Sequence, residues 1–269
     1  MKKVWLGLLT LVLLVCLVGC GSKNDEKTIV VGATPSPHAE ILNSDAVQNY
    51  IKEKGYTLEV KVYQDYVTPN KALDGGSIDA NYFQHIPYLE EEIANYGYKL
   101  SVACKVHNEP LNLYGVEKKS DFSNETIYII NDASNVARAF ELLKANGIID
   151  SYNVEEFNAQ RPEYTTSINV TIQCIEAGLL HNKVTEGGYA VIPGNYALTA
   201  WGAAKASEYR ILGESTEVAY PNIIAVRTED LESEKIKILV EALAQEEVQK
   251  FLEETYGPTV NYVYESLLK

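Results

Sequence analysis

Tyr66, Tyr82, Phe83, His85 and Tyr88 fall within 23 positions and combine aromatic faces with polar tips. Placed at strand ends and turns, they would form an apolar box suited to an uncharged, polarizable side chain such as a thioether or another aromatic. Periodicity alone favours a plainer reading, a packed core with one hydrogen-bonded histidine. A second group, Asn131-Asp132-Ala133-Ser134-Asn135 followed by Arg138, sits where a strand hands over to a helix. Side-chain amides and free N–H groups gather at such a junction, and Arg138 in the first turns can pair bidentately with a carboxylate. Gly194-Asn195-Tyr196 is another strand-to-helix turn, and Tyr220-Pro221-Asn222 enters a strand. Each is unremarkable alone; together Asn135, Asn195, Asn222 and Arg138 could surround a zwitterion beside the aromatic box. Catalysis finds no comparable support. There is no Gly-x-Ser-x-Gly elbow, phosphate loop or His-Glu-x-x-His, and His38, His85, His107 and His181 are scattered. The chain reads as a binder and not an enzyme, with no metal and no cofactor expected.

The elements that must position these groups alternate short β-rich runs with helical patterns, the signature of an α/β protein. Thr28 to Ala33 reads as a buried strand, followed by an amphipathic helix from about His38 to Lys54 with Ile41, Leu42, Val47 and Ile51 on one face. Strands are expected near 57–63, 79–83, 100–106 and 111–116, with a helix beginning near Ile86-Pro87. A second set starts near Lys118. It has a strand over 126–130, a helix over 135–145 capped by Ser134 and stopped at Gly147, and a helix over 169–180. Strands at 189–192, 211–212 and 222–227 follow, and helical patterns from Ser233 to Tyr256 close the chain. Extended segments near 106–116 and 218–226 read as crossings between two blocks. A cleft between the blocks is then the place for a ligand, beyond strand ends and at helix N-termini.

The first residues are a processing signal. Lys2 and Lys3 precede an apolar stretch from Val4 to Val18, which is too short for a spanning helix of about 20 residues. It ends in Leu17-Val18-Gly19-Cys20, which resembles the bacterial lipobox, and a polar leash of residues 21–27 follows. Cleavage after residue 19 leaves 250 residues with 21 basic and 37 acidic side chains, a formal charge of −16. Such a surface does not recruit nucleic acid or anionic lipid, so membrane attachment would come from lipid on Cys20. Cys104 and Cys174 could pair in an oxidising compartment. Two buried thiols fit better, because 70 residues separate them and nothing demands a staple.

The stretches GATPSPHAEIL, QDYVTPNKAL, LDGGSIDANYFQHIPYLE, KVHNEPLNLYG, NDASNVARAFELL, GNYAL and PNIIAVR together resemble the methionine-binding lipoprotein (NlpA/MetQ-type) family, over about Thr28 to Tyr256. The resemblance implies a type II periplasmic-binding-protein fold, two α/β lobes joined by two crossing segments with the ligand cleft between them. Lobe I would comprise residues 28–112 plus 221–269, and lobe II residues 113–220. It also implies the substrate-binding subunit of an ABC importer, anchored by lipid at Cys20 on the extracytoplasmic face of the cell membrane. Its partners would be L-methionine or a close analogue, a permease and an ATPase, and the protein itself a monomer. Position by position, Tyr66, Phe83, His85 and Tyr88 match residues that enclose the methionine side chain. Arg138 matches the partner of the ligand carboxylate, and Asn135, Asn195 and Asn222 match amides that hold the amino and carboxylate groups. Ala133 stands where the family has Pro, Pro193 where it has Asn, and Ala219-Tyr220-Pro221-Asn222 where it has Pro-Tyr-Val-Asn. These departures leave room for the D-isomer, another apolar amino acid or a methionine-containing dipeptide. From a different class, an adhesion or antigen-type surface lipoprotein is the rival reading.

Overall fold

Strand β1 (Thr28–Ala33) shows how the first sheet is built: five of its six residues are buried, as a strand flanked by neighbours on both edges requires. In the computed structural model, which describes residues 26–153, 162–215 and 220–268, it pairs in parallel with β2 (Thr57–Val62) and β3 (Ala80–His85). Cys20 and most of the leash lie outside the described residues. Strands β4 (Leu100–Asn108), β12 (Pro221–Arg227) and β13 (Asn261–Ser266) complete this sheet in the order β13-β4-β12-β3-β1-β2, with β12 antiparallel to β3 and β4.

The second sheet runs β11-β5-β10-β6-β9, from β5 (Asn112–Tyr114), β6 (Thr126–Ile130), β9 (Thr171–Ile175), β10 (Tyr189–Ile192) and β11 (Arg210–Gly213). A small hairpin, β7 (Ser151–Asn153) with β8 (Glu163–Thr165), stands apart from both. The chain leaves the first sheet after Asn108 and enters the second at Asn112, then returns between Gly213 and Pro221. Two α/β lobes joined by two crossings result, each with its own core. One packs Ile29, Val31, Ile41, Leu42 and Val106 with Leu239 and Leu243; the other packs Leu113, Ile127, Ile129, Val136, Phe140 and Val191.

Two of the expected elements change and a third is refined. The helix expected over 38–54 is broken at Ser44, whose extended backbone and side-chain oxygen cap a new helix α1 (Asp45–Glu53) by accepting from the Val47 N–H. Residues 171–175 form β9 in place of helix, because β-branched Thr171, Ile172 and Ile175 pair in parallel with β6; the helix starts later, at Ala177. The helical patterns expected from Ser233 to Tyr256 form two helices, α5 (Glu234–Leu243) and α6 (Glu246–Tyr256), separated at Ala244-Gln245. No helix among the described residues is long and apolar enough to cross a membrane.

Candidate functional site

At the seam of the lobes lies a cavity bounded by Tyr66, Phe83, Gln84, His85, Tyr88 and Asn222 from the first lobe, Glu109 from the first crossing, and Asn135, Arg138, Pro193, Gly194 and Asn195 from the second. About 340 Å³ of space unfilled by atoms lies among these residues, part of it continuous with solvent.

Strand alternation explains the aromatic side. Phe83 and His85 are two residues apart on β3 and share a face, so both reach the cavity. Tyr82 points the other way into the lobe core, where its hydroxyl meets His107 Nδ1. Tyr66, Phe83 and Tyr88 contact one another with ring centroids 5.6–5.9 Å apart, and Tyr196 lies 5.1 Å from Tyr66. Tyr196 is a member of the box that the sequence reading did not name for it.

His85 ends β3 and caps helix α2 (Ile86–Tyr96), its Nδ1 accepting from the Tyr88 N–H at 3.2 Å. That fixes the proton on Nε2, which donates across the seam to Asn135 Oδ1 at 3.2 Å. Burial and the nearby Arg138 push its pKa down to about 3, so the ring is neutral. The other direct tie across the aromatic end is Tyr66, whose hydroxyl donates to Asn195 Oδ1 at 2.6 Å.

The polar end is built at two helix N-termini. Asp132, and not Ser134, caps helix α3 (Ala133–Ala145): it accepts from the Asn135 N–H at 2.9 Å and from Ser134 Oγ. Both oxygens of Asp132 also accept from Asn135 Nδ2, while Asn135 Oδ1 accepts from His85 and from Arg138 Nη1. The Asn135 amide oxygen is thus taken up in holding Arg138 and His85, and its NH₂ is turned toward Asp132. Arg138 itself gives Nε and Nη2 to both oxygens of Glu214, at 2.9 and 2.7 Å, and a second Nη2 contact to the Glu109 carbonyl at 3.3 Å. Tyr220 covers its guanidinium face at 4.3 Å. One Nη1–H remains for a ligand. Glu214 was not singled out from the sequence, and its clamp means the bidentate face of Arg138 is already occupied.

Asn195 opens helix α4 (Gly194–Tyr209), and Asn222 lies on β12. Asn222 Oδ1 accepts from His38 Nε2 at 3.0 Å, as Asn195 Oδ1 does from Tyr66. Both amide NH₂ groups are left as donors toward the cavity.

Glu109, unnamed by the sequence reading, supplies a buried carboxylate. It accepts from His107 Nε2 at 2.7 Å, and His38 Nε2 is 3.3 Å away. Burial lowers His38 to about 4 and His107 to about 3, so neither contact is an ion pair. Burial raises Glu109, opposed by His38, the Asn195 N–H and Arg138. His107 and Glu109 are two residues apart, and the distant member His38, on the segment before α1, is brought to them where β4 pairs with β12. Gly194 has a spatial reason: a Cβ there would come 2.9 Å from both Cβ and Oε2 of Glu109. Cys104 and Cys174 are free thiols, the first buried.

Two α/β lobes, joined by two crossings, that each line one side of a cavity at their seam define a solute-binding protein of the periplasmic-binding-protein fold. The chain belongs to the NlpA lipoprotein family, which it matches over residues 29–263. It is 40% identical over 277 residues to the methionine-binding lipoprotein MetQ of Bacillus subtilis, covering 97% of this chain and 98% of that protein. Among solved structures it is similar to a nutrient binding protein from Burkholderia cenocepacia bound to methionine, at a TM-score of 0.78 and 30% identity. That match covers 87% of this chain and 99% of the other. Lipoprotein Tp32 from Treponema pallidum superposes with a TM-score of 0.79 at 28% identity, covering 89% and 100%.

Proposed function

We propose that this chain is the substrate-binding subunit of an ABC importer and that it captures L-methionine in the cavity at the lobe seam. The observation that carries the reading is the polarity of that cavity. Tyr66, Phe83 and Tyr88, with Tyr196 packed behind Tyr66, offer an apolar surface for a thioether, while Arg138, Asn195 and Asn222 line the same cavity with N–H donors not spent on a neighbour. A cavity of this kind, tied across the seam by Tyr66 and His85, favours an amino acid that touches both lobes at once. The names of its relatives support the same ligand, and the box has no room for a long peptide.

In this reading residues 28–112 with 221–269 and residues 113–220 move as two bodies about the crossings. Lipid on Cys20 keeps the protein, as a monomer, on the extracytoplasmic face of the cell membrane beside a permease–ATPase pair. Binding and hand-over, with no chemical turnover, are its whole task. Native mass spectrometry of the purified mature protein tests the ligand, with calorimetry after ligand removal. A retained mass equal to methionine and a one-to-one titration with L-methionine are expected. No heat with L-methionine, or a retained species of another mass, would overturn the assignment; tighter binding of D-methionine would reverse the chirality.

A further inference from the structure

The cavity's hydrogen-bonding groups are unequally spent, and its charges even more so. Arg138 is the one cationic side chain among the lining residues, and both oxygens of Glu214 already take its charge in a bidentate pair 5% and 8% exposed. The second buried carboxylate, Glu109, has no such partner: its neighbours are two imidazole N–H groups, the Asn195 N–H and the edge of Gly194. Acceptors are scarce in the same way. Asn135 Oδ1 serves His85 and Arg138, Asn195 Oδ1 serves Tyr66, Asn222 Oδ1 serves His38, and Gln84 Oε1 serves Asn70. A ligand ammonium has three N–H donors and no acceptor. Of the lining side chains, Glu109 is the one carboxyl with no cationic side chain in contact and a lone pair still unspent; burial raises its pKa, and an ammonium set against it would hold it in the charged form.

Resting on the methionine reading above, we infer that Glu109 is the specificity-determining residue of this site and that the charge selected for is the ligand's free α-ammonium, more than its carboxylate. His107, itself steadied by the Tyr82 hydroxyl at Nδ1, and His38, steadied by Thr34 Oγ1 at 2.8 Å, hold the Glu109 carboxylate in place from below. Both histidines are neutral in this setting, so they orient the carboxylate without cancelling it. The ligand carboxylate, by contrast, meets one Arg138 N–H and two neutral amides, beside a guanidinium already balanced by Glu214. The site therefore takes an α-amino acid with an unblocked amine and rejects N-acylated or deaminated analogues. A peptide with methionine at its C-terminus lacks that ammonium at the α-position and falls in the rejected class.

Calorimetry on ligand-free mature protein tests this with four probes: L-methionine, L-methioninamide, N-acetyl-L-methionine and 4-(methylthio)butanoate. The amide, which keeps the amine, is expected within about tenfold of methionine. The acetylated and deaminated compounds are expected at least about 100-fold weaker. Glu109→Gln keeps the size of the side chain and one acceptor oxygen for His107 while removing the carboxylate, and should erase most of the gap between methionine and the deaminated compound. Its thermal melt controls for folding, and the wild-type series stands without it. If methionine binds and the deaminated compound binds as tightly, or the amide is the worst of the four, this inference is overturned while the methionine reading stands. If methionine itself does not bind, the proposed function is what fails, and this inference falls with it.

Discussion

Arg138→Ala is the sharpest perturbation of the polar end, because it separates a stability effect from a binding effect. Arg138 and Glu214 are nearly inaccessible, joined through two hydrogen bonds of 2.7 and 2.9 Å. Truncating one partner of a buried pair costs about 3–5 kcal/mol, chiefly because the other charge is left without compensation. Here Glu214 keeps one donor, the Leu111 N–H at 2.7 Å, which argues for the lower end. A chain of this size loses about 2–4 °C in Tm per kcal/mol, so a loss of about 3 kcal/mol corresponds to about 6–12 °C. Removing Glu214 as well should recover much of it, since the stranded carboxylate goes too. The binding effect is smaller: a ligand carboxylate loses one charged hydrogen bond of about 1.5–3 kcal/mol, or about 10–100-fold in affinity. Thermal melts of Arg138→Ala, Glu214→Ala and the double variant, with calorimetry on each, decide the matter. Additive losses in the double variant, or a single-variant shift below about 2 °C, would refute the argument that the two side chains are one coupled unit.

Three further outcomes are expected. Tyr66→Phe deletes the hydroxyl that reaches Asn195 across the seam, and should weaken L-methionine by about 0.5–1.5 kcal/mol with little change in the melt of the ligand-free protein. Gly194→Ala drives a Cβ to within 2.9 Å of Glu109 Cβ and Oε2, so the carboxylate must move. An overpacking cost of about 1–3 kcal/mol and a clear loss of affinity are expected by melt and titration. Stability should decline as pH falls from about 6.5, the ordinary histidine value, toward 4, where His38 titrates, and on toward 3 for His85 and His107. Their lowered folded pKa values mean that the unfolded chain binds more protons in this window, so stability rises with pH there, by up to about 1.4 kcal/mol per pH unit for each group. Glu109, raised by burial, acts in the opposite direction from about 4.5 upward, so the net slope in that part of the window is the histidine contribution less its own. Denaturant melts at pH 7, 6, 5 and 4 read the slope, and a flat profile would contradict the buried-neutral assignment.

Local sequence patterns carried most of the fold and the aromatic half of the site. The buried run of β1, the clustering of Phe83, His85 and Tyr88, and the polar strand-to-helix junctions at Asp132 and Gly194 are all short-range signals, whereas Tyr82, grouped with the box by its spacing, is turned into the lobe core by strand alternation. Where reading failed, the deciding contact was long-range. Residues 169–175 carry an apolar spacing compatible with either helix or strand, and parallel pairing with β6 selects the strand. Ser44 broke the first helix because a side-chain cap competed with continuation, a choice that periodicity does not register.

The polar half of the site shows why matching residue types is not the same as assigning roles. Asn135 was expected to hold the ligand, yet its amide oxygen is engaged by His85 and Arg138 and its NH₂ is turned toward Asp132. Arg138 was expected to offer its fork, yet Glu214, 76 positions away, fills it. His38 and His107 looked scattered because sequence distance hides the approach of His38 to the neighbouring pair His107 and Glu109 beside Asn222. A hydrogen-bond census, donor by donor, is what distinguishes a residue that faces the ligand from one that holds its neighbour still. On that census the donors free for a carboxylate lie on Asn195, Asn222 and one edge of Arg138, and the carboxyl free for an amine is that of Glu109.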